Sequence, residues 1–156
     1  MTVPHQLAET FAINNRINLY LLEAIQETHL TDVYQGSKGR HAGKQWAHLH
    51  DVRMMWLKAA APDLLNGVSK LTDEQALQKK SLRDALTASG KAIEMLLQQA
   101  ATTGKIKGFK PHATAFLGYL LAHEGHHRGQ ILVTLKQNGH MVDKKVQFGI
   151  WEWGVR

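Results

Sequence analysis

Three histidines and a glutamate fall within five residues at His123, Glu124, His126 and His127, in the segment HEGHHRGQIL. Neutral imidazole can be a metal ligand, an acid–base group or a plain hydrogen-bond partner, and spacing helps to tell these uses apart. His123 and His127 are four residues apart. On a helix their side chains lie on one face, about one turn from each other, so both can reach one metal ion. At about 100° per residue Phe116, Leu120 and Ile131 fall on the same side, which turns the pair toward the core. His126 points elsewhere and is not a ligand candidate. A single inward histidine would read as an ordinary hydrogen-bonded core residue. Two at ligand spacing favour a metal, and a third ligand is then required.

The same five residues also match the H-E-x-x-H pattern of zinc proteases, in which the glutamate is the general base. The longer form of that pattern fails, because Gln130 and Val133 stand where a glycine and a third histidine are needed. A glutamate-ligand form would have to use Glu152, the sole glutamate downstream, at the wrong spacing. No strand is expected for a peptide substrate to pair with, so the protease reading is set aside.

A third ligand is available upstream in QWAHLHDVRMMWLK, which holds His48 and His50. Two residues apart, their directions on a helix differ by about 200°, so only one can join the downstream pair. They flank the apolar face on opposite sides, and periodicity leaves the choice open. Arg53 falls near the middle of that face, where an arginine is paired with a carboxylate or, less often, receives a ligand.

The elements that must carry these residues are helical. Apolar residues recur at helical spacing and no alternating strand appears. A first helix is expected over about Pro4 to Glu27, burying Leu7, Phe11, Ile17, Leu21 and Ile25. QGSKGRHAGK interrupts the pattern before a second helix over about Gly43 to Ala60. A long connection follows, in which Thr72 and Gln75 resemble a capping box, so that helical structure restarts there. A third helix is expected over about Ser81 to Thr102. A fourth opens at Pro111 and stops near Asn138-Gly139. The tail carries Trp151 and Trp153 without periodicity; they either anchor the C-terminus or wall the metal cavity. Four long helices in one domain, residues 1–156, imply an all-α four-helix bundle with its site on facing helices.

The 156 residues include no cysteine, which excludes disulfides, thiolate ligands and a cysteine nucleophile. No apolar run reaches the roughly 20 residues of a membrane span, and no signal peptide opens the chain, so a soluble cytoplasmic protein is expected. The net charge of +6 raises nucleic acid as a partner. The basic residues, however, are scattered or confined to loops (Lys105, Lys107 and Lys110 in one, Lys144 and Lys145 in another), which fits a solvated basic surface or attraction of an anionic small molecule.

AHLHDVRMMWL followed far downstream by HEGHHRGQI resembles the DinB-like superfamily, also described as YfiT-like, a group of helical bundles regarded as metalloenzymes and unrelated to the DNA polymerase of similar name. The NNRIN stretch and LTASGKAIEMLL extend the likeness over nearly the whole chain, and H-x-x-x-H-R-G-Q is its most specific part. The resemblance implies a metal site of His48, His123 and His127; His50 and His126 are extra. Three imidazoles suit zinc or nickel and leave positions open for water or substrate. The chemistry implied is a metal-dependent reaction on a small molecule, of hydrolase or thiol-dependent transferase type. A metal-bound water with a pKa near 7, or a substrate thiolate held by the metal, would attack an electrophile. The alternative is a non-catalytic metal- or ligand-binding bundle. Arg53, Glu124 and Arg128 are candidates for a supporting shell. Glu124, about 60–100° away from the histidine pair, is either a base or a carboxylate satisfied by Arg53 or Arg128. Gly118, Ala122, Gly125 and Gly129 form a stripe of small residues suited to close helix packing, either within the chain or in the homodimer that family members often form.

Overall fold

The structure, a computed structural model, describes residues 2–156, with the side chains of residues 3 and 4 left aside. Four long helices dominate: α1 (Val3–Ala24), α2 (Ala42–Ala60), α3 (Lys79–Thr103) and α4 (Ala113–Gln137). A short α5 (Lys144–Gly149) follows. Three 3-10 turns lie in the connections, at Glu27–Thr31, Pro62–Leu65 and Gln75–Leu77. Among the described residues β-structure is limited to one isolated bridge, Ile106 with Phe109. Among the described residues no helix is long and apolar enough to cross a membrane.

The helix ends differ from the sequence expectation for local reasons. α1 stops at Ala24 rather than Glu27, because Ile25 turns to extended backbone (φ −87°, ψ 131°). Ile25 and Leu30 are both buried. Five residues apart on one helix they would diverge by about 140°, so the break lets both reach the core. Thr72 and Gln75 do form the reciprocal capping box, each backbone N–H donating to the other's side chain at 2.9 and 3.2 Å. It opens only the 3-10 turn; α3 restarts at Lys79. α4 begins two residues after Pro111, because extended His112 is its cap and accepts from the Ala115 N–H at 3.0 Å. α2 is capped in the same way, with His41 Nδ1 accepting from the Lys44 N–H at 3.1 Å. Gly104 (φ +70°) and Gly139 (φ +78°) close α3 and α4 in the left-handed conformation that favours glycine.

Each long helix reads apolar, polar, apolar along its length. One buried cluster gathers Leu7 and Phe11 of α1, Leu57 of α2, Ile93 and Leu97 of α3, and Phe116 and Leu120 of α4. A second gathers Leu21 and Ile25, Trp46 and Leu49, Leu82 and Leu86, and Ile131 and Leu135 from the same helices in the same order. Between them in each helix stand buried polar residues: Asn14 and Asn18, Arg53, Ser89, and Glu124. α1 packs closely along α3 there: a Cβ at Gly90 would overlap the Asn15 side-chain amide.

Two sequence alternatives end here. Trp151 is 76% exposed and Trp153 half-buried, and neither lines the cavity beside the histidines. The small-residue stripe faces outward: Gly118, Ala122 and Gly129 are exposed, and nothing lies within 4 Å of a Cβ built at Gly118 or Gly129. No helix of this chain packs on it.

Candidate metal centre

His48 of α2 meets His123 and His127 of α4 at the polar waist, and one ligand atom from each lies within 4.8 Å of the others. The rings meet edge-on. Their centroids are 4.6 to 5.2 Å apart and their planes are inclined by 61–71°, so that nitrogens converge instead of faces stacking. His48 Nε2 and His123 Nε2 are 3.3 Å apart. Two nitrogens bound to one tetrahedral zinc at about 2.0–2.1 Å are separated by about 3.3–3.4 Å, so this edge already has the span of a coordination polyhedron. Three histidines are therefore positioned to bind a divalent metal ion.

The third imidazole is oriented from outside the cluster. His127 Nδ1 lies 2.5 Å from Gln45 Oε1. The amide oxygen can only accept, so Nδ1 carries the proton and the Nε2 lone pair is left for a ligand. His123 Nδ1 is buried without a protein partner. All three rings sit below the ordinary histidine pKa. For His127 burial is the largest cause, followed by the neighbouring His123 and His48, and the value is pushed down to about 4. His48 and His123 are lowered first by burial as well. The cluster is thus neutral near pH 7, the form that can coordinate.

His50 lies elsewhere. It is fully buried, and its Nε2 donates to the Ser69 carbonyl at 2.7 Å, tying α2 to the connection ahead of α3. Packing of Trp46, Leu49 and Leu57 sets the rotation of α2, which sends His48 to α4 and His50 the other way. His126 is exposed and not part of the cluster.

Behind the histidines the polar residues form a closed network. Arg53 donates to both oxygens of Glu124, Nε to Oε1 at 2.7 Å and Nη2 to Oε2 at 2.9 Å. Asn14 and Asn18 donate to the same Oε2 at 2.7 and 2.8 Å. Arg128 Nη1 donates to the side-chain oxygens of both asparagines at 2.7 Å. The Arg53 Nη1 reaches the Leu86 carbonyl at 3.0 Å and Ser89 Oγ at 3.3 Å, and the guanidinium lies 5.1 Å from the Phe11 ring centroid. Burial alone would raise the Glu124 pKa, but the charge and bonds of Arg53, with Asn18 and Arg128, outweigh it and hold the carboxyl below its usual range. Of the two sequence readings of Glu124, the geometry selects the satisfied carboxylate. It accepts four hydrogen bonds, one on Oε1 and three on Oε2, from Arg53, Asn14 and Asn18.

Sequence reasoning did not single out Asn14, Asn18 or Gln45. The asparagines had a visible signal, two polar residues at positions that continue the i, i+3, i+4 spacing of Leu7, Phe11 and Leu21 on the buried face of α1. Gln45 had none, since a glutamine in the first turn of α2 looks like any surface residue.

A cavity of about 1150 Å³ adjoins the cluster at His127, bounded by segment 34–40 on one side and by α2 and α4 on the others. Against known proteins, the family model described as DinB family matches residues 1–145. No curated protein and no solved structure gives a significant match. With nearly its whole length matched and the three histidines gathered at one point, the chain belongs to the DinB family.

Proposed function

We propose that this protein is a divalent-metal-dependent enzyme acting on a small molecule, with His48, His123 and His127 as the metal ligands and zinc or nickel as the ion. The observation that carries this reading is the convergence of three neutral imidazoles beside an open cavity. A bound ion would supply Lewis acidity there, polarising a substrate or acidifying a water or thiol, which suits hydrolysis or thiol-dependent transfer. The chain's own parts in this are distinct. Gln45 fixes the ring of His127, and the Arg53–Glu124 network holds α2 and α4 at the separation the three rings need. His126, exposed at the cavity rim with its ring 5.1 Å from that of His127, is available to accept a proton.

The alternative, a non-catalytic metal- or ligand-binding bundle, has one observation in its favour: Glu124, the carboxylate nearest in sequence, is wholly engaged by Arg53, Asn14 and Asn18. We read the four long helices as a four-helix bundle with a long connection between its second and third members, working in the cytosol. The outward small-residue stripe on α4 supports a homodimer, which light scattering of the wild type and Gly118→Leu would test.

Metal content of purified protein, with and without added zinc or nickel, decides the central point. One equivalent in the wild type and in His50→Ala, with loss in His48→Ala and His127→Ala, is the expected result. Retention in His48→Ala with loss in His50→Ala would overturn the ligand set.

A further inference from the structure

The cavity beside the histidines has a charge that the cluster does not explain. Lys38, Arg40 and Lys44 line it, and no carboxylate does. Lys44 has a partner, Asp73, at 3.4 Å. Among the described residues Lys38 and Arg40 have no ion pair. Segment 34–40, which carries both, is held against the end of α4. Gln35 donates two hydrogen bonds to Gln137, from its backbone N–H at 3.1 Å and its side-chain amide at 2.8 Å, and Asn138 donates to the Val33 carbonyl at 3.0 Å.

A fixed cation beside a site for a divalent cation is electrostatically unfavourable unless an anion lies between them. The rest of the lining mixes amide and hydroxyl side chains with two large surfaces, Tyr34 and Val133, which are 47% and 45% exposed. The volume, about 1150 Å³, slightly exceeds the roughly 300–1,000 Å³ of a typical small-molecule pocket, so one small molecule fits with room to spare.

We propose that this cavity binds an anionic small molecule with an apolar body, its carboxylate or phosphate held by Arg40 and Lys38, its body against Tyr34 and Val133, and its reacting end toward His127. This rests on reading the cavity as the substrate site of the histidine cluster. Arg40 is the anchor because a guanidinium offers two parallel N–H donors to an oxyanion, whereas Lys38 contributes a single point of charge.

The test is a titration of the wild-type protein, with and without zinc, by amide chemical shifts. The probes are phenylacetate, phenyl phosphate and the neutral phenylacetamide. Both anions should bind and shift the amides of Arg40, Gln45 and Gly129, and the tighter of the two identifies the oxyanion. Phenylacetamide should leave these amides in place. Arg40→Gln should weaken anion binding by at least about tenfold, as expected on losing a charge-assisted hydrogen bond, and Arg40→Lys by less. Equal binding of phenylacetate and phenylacetamide, anion binding unaffected by Arg40→Gln, or no binding of either anion would each overturn the proposal. Zinc uptake is measured on the same samples. Arg40-dependent anion binding without zinc uptake sinks the metal reading and leaves the anion site standing. Zinc uptake without it does the reverse.

Discussion

Adjacent residues on two successive turns of α4 serve two regions with opposite hydrogen-bond accounts. Glu124 and Arg128 point into the waist, where every carboxylate oxygen and both asparagine amides have partners. His123 and His127 point into the groove with α2, where two Nε2 atoms face each other at 3.3 Å and His123 Nδ1 has no partner. One region closes its hydrogen bonds within the protein; the other leaves His123 Nδ1 without a protein partner. A buried charge persists when its partners are built in, because leaving one unmatched costs several kcal/mol. A cluster of neutral imidazoles can be left open at less cost, which is why ligand-ready groups can sit beside a saturated network without destabilising the fold.

The largest effect should come from opening the closed region. Glu124→Ala, which leaves Arg53 buried and unpaired, should cost about 3–5 kcal/mol in urea unfolding of the metal-free protein. The double variant Arg53→Met/Glu124→Leu should recover much of that loss. A cost below about 1 kcal/mol for the single variant would mean that the network is not what holds the waist together. His123→Ala tests the open region. It should abolish zinc uptake while shifting metal-free stability by no more than about 1 kcal/mol. If it destabilises as much as Glu124→Ala, the contrast between the two regions is wrong.

Gln45→Ala sits between them, since it removes the partner that fixes the His127 ring. Zinc affinity should fall about 10–100-fold, measured by competition with a chromophoric chelator, with folding unchanged. His41 gives the smallest effect and the cleanest contrast, a histidine whose lone pair is already used structurally. Its pKa is lowered, by burial first and then by Lys44. The unfolded chain therefore takes up the proton more readily than the folded one, and the capping contribution is present above pH ~6.5 and declines as the pH falls below it. The stability difference between wild type and His41→Ser, at most about 1 kcal/mol for a cap, should shift in favour of the serine variant on acidification. A difference that stays flat between neutral and mildly acidic pH would show that this cap does not depend on the imidazole lone pair.

Much of this was legible without coordinates. Helix positions followed from apolar recurrence to within three residues at each end, and the misses had local causes: Ile25 leaving the helical path, and histidines serving as caps at positions 41 and 112. α5 was missed because six residues are too few to establish a period. Asn14 and Asn18 were visible as polar residues on the apolar face of α1, yet their shared partner lies 110 and 106 residues away, and no local pattern names it.

By itself the sequence determined the helices, the i, i+4 imidazole pair on α4 and the need for a third ligand, because these are consequences of the 3.6-residue period within single segments. Periodicity left His48 and His50 open, and the family likeness pointed to His48. The tertiary structure brought His48 to that pair and His50 to the Ser69 carbonyl, gave Glu124 to Arg53, and placed Arg40 in the cavity lining. Those outcomes depend on how each helix is rotated about its own axis and how a loop is tied to a distant helix end. Packing of all four helices together sets both.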